Sequence, residues 1–362
     1  MRIAIDAREL TGRPTGVGRY LNQLLLAWAN LPAAAAHDFV LCAAEPIEIT
    51  HTGPLRVSSL VERGHGTVWE QTMLPRLVRD ARADVLFAPG YTAPLLSPAP
   101  TVVAIHDVSF CAHPEWFSWR EGMRRRMLTR LSARRATRIL TISGFSRREI
   151  VTHLGADPGK VEVIYPGTTQ FGAGGLKVAP TQDSDPMVLY VGSLFERRHI
   201  PQLIAGFARF AHQHRGATLE IVGDSRTQPP IDVAGLAAAA GVAGHVHARS
   251  YVSDAELAAL YGRAAAFAFL SDYEGFGLTP LEALASGVPP VVLDTEVARE
   301  IYGPAAVYVA GPNPALIATA LETAVTDGAE RRQVLAAAPQ VLARYSWDEC
   351  AHRTLHALLA SA

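Results

Sequence analysis

Cysteine is scarce in this sequence of 362 residues, and its positions form no pattern. Cys42, Cys111 and Cys350 are scattered, with neither a Cys-x-x-Cys pair nor the Cys and His spacing of a zinc site. A disulfide framework and a small zinc-stabilised domain are therefore excluded. We expect reduced thiols in a cytoplasmic protein.

Long hydrophobic runs are lacking as well. No stretch supplies the ~18 consecutive apolar residues that a membrane-spanning helix needs. Met1 leads directly into an alternating strand pattern, not into the basic region and apolar run of a signal peptide. We therefore expect neither a signal peptide nor a spanning helix.

Charge is modest and uneven along the chain. Charged residues make up 19% and hydrophobic residues 49%, which is ordinary for a globular protein, and the length allows two domains with full cores. The net charge is -1, yet residues 1–168 carry 20 basic against 15 acidic side chains and the remainder carries 13 against 19. This asymmetry is a weak indication that the first half meets an anionic partner.

What the sequence does contain is a distinctive strand, loop and helix unit in its second half. The apolar run 264–270 predicts a buried parallel strand, and Gly275 with Gly277 predicts a tight loop after it. Thr279 and Pro280 are residue types preferred as N-cap and first helical residue. The free N–H groups of that predicted helix start could bind a phosphate or several hydroxyls.

Glu274 and Glu282 stand at either edge of this predicted binding loop, and each has a structural alternative. Glu282 follows Thr279 by three residues, so a capping box explains it at least as well as ligand binding does. Glu274 lies between a buried strand and a glycine, at the edge where α/β sheets bind ligands. Packing does not need a carboxylate there, and we favour a functional role for Glu274.

Near the amino terminus, a glycine-rich loop follows the strand pattern 2–6 and leads into a helical pattern at 19–31. Its glycines, Gly12, Gly16 and Gly18, do not make the dinucleotide fingerprint, because the loop is too long and the third glycine is missing. That argues against nicotinamide-linked oxidoreduction. Backbone amides that approach a diphosphate or an acceptor, and a merely flexible turn, are about equally supported interpretations.

Further strands are predicted at 38–43, 85–88 and 101–105, with helical patterns between them, so the first half predicts an α/β domain with a parallel sheet. His106 and Asp107 fall at the carboxyl end of the last of these strands, the edge that faces ligands in such sheets. We favour His106 as a donor to a sugar hydroxyl or phosphate. Asp107 is interpreted as a cap for the following turn.

A basic amphipathic helix is predicted within 116–138. One interpretation is contact with an anionic membrane or a lipid diphosphate acceptor. The other, a solvated basic face above an apolar core stripe, is favoured on the sequence alone. The basic residues are Arg120, Arg124, Arg125, Arg126, Arg130, Arg134, Arg135 and Arg138, and the apolar ones are Trp116, Phe117, Trp119, Met123, Met127, Leu128 and Leu131.

Residues 169–186 are rich in Gly, Pro, Thr and Asp without periodicity, which predicts a linker. The linker separates a first domain, 1–168, from a second, 187–345.

The second domain restarts the strand, loop and helix order. Its first strand pattern is followed by a loop that begins at Gly192 and carries Arg197 and Arg198 at a predicted helix start. Paired cations at that place would neutralise a diphosphate held by loop amides.

Together these segments resemble the retaining glycosyltransferases of family 4 over essentially the whole chain. The most specific element is a Glu-x7-Glu signature, Glu274 to Glu282, within Tyr-Glu-Gly-Phe-Gly-Leu-Thr-Pro-Leu-Glu-Ala-Leu. Supporting elements are Gly-Val-Gly-Arg-Tyr from residue 16, His106-Asp107, Ser-Gly-Phe-Ser from residue 143, Tyr-Pro-Gly from residue 165 and the loop from Gly192 to His199. This resemblance implies the GT-B architecture, an α/β fold of two facing Rossmann-like domains with a donor cleft between them. It also implies that the first domain is on the acceptor side, that the second domain binds the nucleotide sugar and that segment 346–362 packs back on the first domain.

The resemblance further implies roles for individual residues. The first glutamate of the signature contacts the transferred sugar and the second holds the nucleotide ribose, which assigns Glu274 and Glu282. Arg197 and Arg198 take the diphosphate-binding places, and His106 corresponds to a histidine that touches the donor sugar near the reacting carbon. The remaining donor-binding positions implied are Gly16, Gly18, Gly192, Gly275, Phe276, Gly277 and Leu278.

As a function, the resemblance implies transfer of a hexose, with mannose from GDP-mannose favoured, to a hydroxyl of a bacterial glycan or lipid-linked acceptor. The anomeric configuration would be retained. A UDP- or dTDP-sugar donor is the alternative, and a non-catalytic nucleotide-sugar-binding protein is a further one. No cofactor, metal or nucleic acid is expected, since arginines and helix-start amides would stabilise the leaving group. The expected location is the cytoplasm, and a peripheral position at the inner face of the membrane is left open as an alternative.

Overall fold

Short apolar strands alternate with helices in two successive series, and each series builds its own parallel sheet in the computed structural model. The structure describes residues 1–12, 16–47, 55–169 and 185–362. The chain divides into two compact units, Met1–Gly167 with Tyr345–Ala362, and Thr168–Arg344. Most of the predicted linker, residues 170–184, lies outside the described residues.

Among its described residues, the first unit contains seven strands and five helices before its closing segment. They are β1 (Arg2–Asp6), α1 (Gly16–Ala29), β2 (Asp38–Ala43), β3 (Arg56–Val61), α2 (Gly66–Asp80), β4 (Val85–Ala88), β5 (Thr101–Ala104), α3 (Ser109–Ala112), α4 (Trp119–Arg135), β6 (Arg138–Thr141), α5 (Gly144–Leu154) and β7 (Val161–Val163).

All neighbours in this sheet are parallel, in the order β3-β2-β1-β4-β5-β6-β7. Side chains alternate between the two faces, as the strand period requires. Ile3 and Ile5 pack in a core with Trp28 of α1, while Ala4 packs in a separate core with Trp69 of α2. The sheet is therefore covered on both faces, which is why its inner strands β4 and β5 are buried along their whole length.

The second unit holds a six-stranded parallel sheet in the order β10-β9-β8-β11-β12-β13. Its elements are β8 (Met187–Val191), α6 (Ile200–Ala211), β9 (Thr218–Val222), α7 (Val233–Ala239), β10 (Val246–Arg249), α8 (Asp254–Arg263), β11 (Ala266–Phe269), α9 (Leu278–Ala285), β12 (Pro290–Leu293), α10 (Glu296–Tyr302), β13 (Val307–Val309), α11 (Pro314–Val325) and α12 (Ala329–Leu342).

In both sheets the strand order reverses once, between β1 and β4 and between β8 and β11. This is the doubly wound, Rossmann-like arrangement, in which ligands bind at the carboxyl ends of the strands beside the reversal. The predicted α/β fold class is confirmed.

The last helix, α13 (Trp347–Leu359), packs on α1 in the first unit. Trp28 Nε1 donates a 2.8 Å hydrogen bond to the Ala351 carbonyl, and an Arg353 nitrogen lies 3.1 Å from a carboxylate oxygen of Glu162. The 18 residues after Arg344 thus complete a core that the first 167 residues begin.

Two helix predictions need correction. α1 begins at Gly16, not at residue 19, so Gly16 and Gly18 belong to the first turn of the helix. The middle of the predicted loop, residues 13–15, lies outside the described residues.

The expected apolar core stripe of the basic helix is also wrong. The buried residues of α4 are Gly122, Thr129, Ser132 and Ala133. Small residues face inward because the helix lies close to the segment after β4, where Ser132 Oγ accepts a 3.0 Å bond from the Ala93 N–H. The side chains of Trp119, Met123 and Met127 are exposed instead, and those of Leu128 and Leu131 are half-buried.

Among the described residues, no helix has both the length and the apolarity to span a bilayer.

Candidate functional site

The second unit gathers three of the predicted site side chains, those of Arg197, Arg198 and Glu274, at one place. Gly192 directly follows β8, and Ser271 and Glu274 closely follow β11, the strand paired with β8 across the reversal of the sheet. The loop after β8 carries Arg197 and Arg198 in a short 3-10 turn. These loops meet because parallel neighbours end at the same edge.

Arg198 and Glu274 form the centre of this cluster. Arg198 Nε lies 2.9 Å and its Nη2 2.8 Å from Glu274 Oε1. Ser271 Oγ donates a third bond to the same oxygen, at 2.8 Å. Among the described residues no group donates to Glu274 Oε2, so the carboxylate is anchored through one oxygen and presents the other.

The pair is largely withdrawn from water. The Arg198 side chain is 12% exposed and that of Glu274 18%. Arg198 also donates to the Ser193 carbonyl at 2.8 Å and stacks 4.7 Å from the centre of the Phe269 ring. Burial acts to lower the pKa of Arg198, but the charges and hydrogen bonds of Glu274 and Tyr190 together outweigh it and raise that pKa above the ordinary value. Arg198 therefore stays charged.

Gly192 makes room for this arginine. A Cβ on Gly192 would lie 2.7 Å from Arg198 Nη1, closer than atoms can approach. The residue has a φ of 149°, which side chains rarely tolerate. Glycine at this position is thus a condition for the Arg198 contact with the loop carbonyl.

Arg197 is held differently. Its guanidinium lies 4.2 Å over the Phe195 ring, and its carbonyl accepts a 3.0 Å bond from the Asp272 N–H. The neighbouring His199 Nε2 lies 2.7 Å from Asp272 Oδ2. Asp272 therefore joins the two loops through contacts with both sequence neighbours of Arg198.

The start of α9 differs from the prediction. The helix begins at Leu278, with Gly277 as its N-cap in the left-handed conformation, φ 94° and ψ 71°. Thr279 is therefore a residue of the first turn and not the N-cap. Tyr302 explains the shift: its hydroxyl donates a 2.9 Å bond to the Gly277 carbonyl, and a Cβ on Gly277 would overlap that hydroxyl.

The capping-box interpretation of Glu282 is wrong for the same reason, because Glu282 lies in the second turn of α9, four residues after the first helical residue. Its side chain is buried, and Oε2 accepts a 3.1 Å bond from the Tyr261 hydroxyl. Glu282 is therefore a buried carboxylate that accepts a tyrosine hydrogen bond and does not cap helix α9. Tyr261 and Tyr302 were not among the sequence candidates, since each comes from a helix whose local pattern indicates only packing.

Phe276, one of the predicted donor-binding positions after β11, lines a small depression. Gly275 and Phe276 are buried, while Gly277 and Leu278 are partly exposed at the helix start. The depression is lined by Ser271, Glu274, Phe276, Thr295 and Tyr302 together with apolar neighbours. A second, larger cavity of about 560 Å³ was not indicated by the sequence, and Glu196, Pro201, Thr227, Pro230 and Asp232 are among its lining residues.

His106 belongs to the first unit, at the carboxyl edge of β5. It is buried between two tyrosine rings, 4.9 Å from Tyr20 and 5.6 Å from Tyr91. Its Nε2 donates to the Pro89 carbonyl at 2.8 Å, since a carbonyl can only accept. Burial lowers the pKa of His106 and outweighs the opposing effects of the Pro89 bond and of Asp107.

Asp107 has the capping role expected of it. Its Oδ1 accepts a 2.8 Å bond from the Ser109 N–H, and its Oδ2 accepts one of 2.8 Å from the Tyr91 hydroxyl. Tyr91 has a φ of 69°, unusual for a residue with a side chain. Asp107 therefore stabilises the strained Tyr91, which in turn borders His106.

Gly16 and Gly18 stand at the start of α1 in the same unit. Gly16 is exposed and has open space where a Cβ would lie, whereas Gly18 is buried. The free amides of this helix start could bind an anion.

The same edge of the first unit carries a charged network that the sequence did not indicate. Arg8 Nη2 lies 2.6 Å from Asp6 Oδ2 and 3.2 Å from Glu70 Oε1. Thr92 Oγ1 donates to Glu70 at 2.5 Å. Burial raises the pKa of Glu70 despite the nearby arginine. In the sequence, the position of Asp6 at the end of a strand is the one signal that could have indicated this network.

Two family models match the chain. The model described as Glycosyltransferase Family 4 matches residues 14–169, and the model described as Glycosyl transferases group 1 matches residues 177–341. Each match lies essentially within one of the two structural units.

Individual relatives are distant. A glycogen synthase of Mycobacterium tuberculosis is 26% identical over 96% of this chain and 91% of its own length. A GDP-mannose:cellobiosyl-diphosphopolyprenol alpha-mannosyltransferase of Komagataeibacter xylinus is 28% identical, over 63% of this chain and 57% of its own length. The crystal structure of Anabaena Alr3699/HepE in complex with UDP and glucose shares the fold, with a TM-score of 0.76 and 18% identity over 99% of this chain and 100% of that one.

Proposed function

Since this chain belongs to the family 4 glycosyltransferases and has the GT-B type of fold, we propose that it transfers mannose from GDP-mannose to a hydroxyl of a bacterial glycan or lipid-linked acceptor. The observation that carries the proposal is the Glu274 carboxylate. It is fixed through one oxygen by Arg198 and Ser271 and presents the other beside the start of α9.

The choice of mannose rests on relatives of this chain. The Komagataeibacter relative is named for GDP-mannose and for a polyprenol-linked substrate, which supports both the donor and the acceptor class. The Anabaena structure holds UDP and glucose but supports only the fold at its low identity. A UDP- or dTDP-sugar is therefore the alternative donor that the experiment below distinguishes.

In the proposed reaction, the bond from the anomeric carbon to the diphosphate breaks and a bond to the acceptor oxygen forms on the same face of the sugar. The acceptor proton passes to an oxygen of the departing phosphate. Arg197, Arg198 and the first amides of α9 would offset the charge that develops on the diphosphate. Glu274 would contact the sugar, Glu282 the ribose hydroxyls, and His106 the sugar near its reacting carbon.

We propose that this chemistry proceeds without a metal ion. The single Asp-x-Asp pair of the sequence, Asp183 and Asp185, precedes β8, and Asp183 lies outside the described residues. The proposal therefore rests on fixed cations and backbone dipoles, which stabilise a leaving diphosphate without reorganisation.

The test is a calorimetric titration with GDP, UDP and dTDP, followed by a nucleotide-release assay with an acceptor extract. GDP is expected to bind at least about tenfold more tightly than the others. Replacing Glu274 with Gln should lower GDP release from GDP-mannose by about a hundredfold, because the carboxylate acts on the reacting sugar. The affinity of this variant for the nucleotide should be unchanged. It should also be unchanged in Glu330→Gln, a control substitution at an exposed position.

Three results would contradict parts of the proposal. Tighter binding of UDP or dTDP than of GDP would show that the donor is a UDP- or dTDP-sugar and not GDP-mannose. Wild-type turnover by Glu274→Gln would remove the assigned site. Tight nucleotide binding with no turnover on any sugar donor would favour a nucleotide-sugar sensor over an enzyme.

A further inference from the structure

A row of large apolar side chains lies exposed on helix α4 of the first unit. Trp119, Met123 and Met127 are 71%, 43% and 55% exposed. They are spaced four residues apart, so they form one row along the helix surface. The buried residues of α4 lie on another side of the helix and are Gly122, Thr129, Ser132 and Ala133. The helix thus buries small side chains and exposes this row of large apolar ones to solvent.

Arginines flank the row on both sides. The i, i+4 rows on either side contain Arg120 with Arg124, and Arg130 with Arg134. Helix α4 contains seven arginines and a single carboxylate, that of Glu121, which pairs with Arg125 at 2.7 Å. In the described part of the chain, neither Arg120 nor Arg134 has an ion pair. The surface around the apolar row is therefore strongly positive.

The apolar surface extends beyond α4. Arg124 Nη1 donates a 3.2 Å bond to Thr67 Oγ1 at the start of α2. The next residue, Val68, is 74% exposed. Two helices thus contribute to the same apolar and basic face.

The position of α4 relates this face to the predicted acceptor side of the first unit. β5 and β6 are parallel neighbours, and α4 connects them. The connection must leave β5 at the carboxyl edge and return to the amino edge. The Trp119 end of α4 therefore lies toward the edge that carries His106.

From these observations we propose that Trp119, Met123, Met127 and Val68, with Arg120 and Arg134, form a docking surface for an anionic lipid bilayer. Tryptophan and methionine enter the boundary between headgroups and acyl chains, and arginines pair with lipid phosphates. Charge complementarity favours lipid over a second copy of this chain, since two such faces would bring their arginines together. The surface would hold the carboxyl edge of the first domain next to a membrane-borne acceptor.

Vesicle binding tests the surface with the full chain. Cosedimentation is measured with vesicles of phosphatidylcholine alone and with added phosphatidylglycerol. We expect binding only to the anionic vesicles, and its loss as salt rises from about 0.1 M to about 1 M, because the screening length shrinks from about 10 Å to about 3 Å. Trp119 fluorescence should change on binding.

Two double variants separate the apolar and charged contributions. Trp119→Ser with Met127→Ser, and Arg120→Gln with Arg134→Gln, should each lower partitioning by about tenfold. Because these side chains are exposed, thermal melts should match the wild type. Leu316→Ser and Arg209→Gln, exposed substitutions in the second unit, serve as controls and should bind as the wild type does.

Absent vesicle binding, equal binding to neutral vesicles, or wild-type binding by both double variants would overturn the proposal. So would a dimer that the Trp119 and Met127 double variant abolishes in the absence of vesicle binding, which would assign the face to a second copy. Vesicle binding requires neither donor nor turnover, so its failure is distinguishable from failure of the proposed transfer reaction.

Discussion

Arg198 shows how one side chain can serve both geometry and charge. Two of its nitrogens hold Glu274 Oε1, and a third contacts the Ser193 carbonyl. A lysine at this place would be a single point donor and could not hold a carboxylate through two nitrogens. Much of the charge of Arg198 is balanced by Glu274.

This pairing could not be predicted from the sequence. Arg198 and Glu274 are 76 residues apart, and their contact follows from the pairing of β8 with β11. The strand patterns predict that each residue follows a strand, but the order of strands in a sheet is not written in local periodicity. The sequence therefore identified both residues and assigned Arg198 only to the diphosphate. Their assignment to catalysis stays a prediction.

His106 gives a testable link between burial and pH. Its folded-state pKa is lowered by burial, so the unfolded chain binds a proton more readily than the folded protein does. The stability that depends on a neutral His106 is fully present above its unfolded pKa of about 6.5 and is lost as pH falls through the lower folded value.

We therefore expect that lowering the pH from about 7.5 to about 5 destabilises the wild type more than His106→Gln, in which no imidazole must be kept neutral. Thermal melts of both proteins across this range measure the difference. His352→Gln, at an exposed position, controls for loss of a histidine. If the difference in melting temperature between the wild type and His106→Gln stays constant with pH, the interpretation of His106 as a buried neutral group is contradicted.

At the level of elements, the start of α9 shows where sequence rules reach their limit. Thr279 and Pro280 satisfy the preferences for a helix start, and the helix does begin within two residues of the predicted position. The exact N-cap is set by Tyr302, which comes from α10 and fixes the Gly277 carbonyl. Preferences for caps describe local hydrogen bonding, and a tertiary contact can move the boundary.

Gly277→Ala tests this helix start. The substitution should destabilise the second unit by about 2–3 kcal/mol, since a side chain strains the left-handed backbone and displaces the Tyr302 hydroxyl. Turnover should fall as well, because the first amides of α9 move. Denaturant unfolding measures the free energy.

Two further variants separate the causes. Tyr302→Phe removes only the hydrogen bond and should cost about 1 kcal/mol. Gly262→Ala, inside α8 with open space at its Cβ position, should instead stabilise by about 0.5–1 kcal/mol. A neutral Gly277→Ala would show that neither the backbone conformation nor the Tyr302 contact matters.

α4 gives the complementary lesson for elements. Its 17 residues were predicted as helical, and its mixture of arginines and large apolar residues was interpreted as a basic face above a core stripe. The structure buries its small residues instead, because the close approach of Ala93 leaves no room for bulk. An amphipathic pattern predicts that a helix has two faces, but it does not determine which neighbour lies against the inner one.

At the scale of the molecule, the prediction of two doubly wound domains is confirmed, and the reason is physical. Buried parallel strands are short apolar runs, and each is followed by a loop and a helix of its own period, so the alternation can be counted along the chain. The network of Arg8, Asp6 and Glu70 could not be counted in this way. Its members lie on a strand end, a turn and the helix α2, whose proximity only the folded sheet creates.

The division into units predicts that damage to the closing helix α13 stays within the first unit. Leu358 is fully buried in the core that contains Trp28, although 330 residues separate the two in the sequence. Leu358→Ala should destabilise this unit by about 3 kcal/mol, the cost of a cavity in a packed core. Leu316→Ala, half exposed in the second unit, should change stability by less than about 0.5 kcal/mol. Hydrogen exchange locates the effect: protection should fall in β1, α1 and α13 while β8 and β11 keep theirs, since each unit has its own sheet and core. Equal loss of protection in both sheets would show instead that the two units unfold as one.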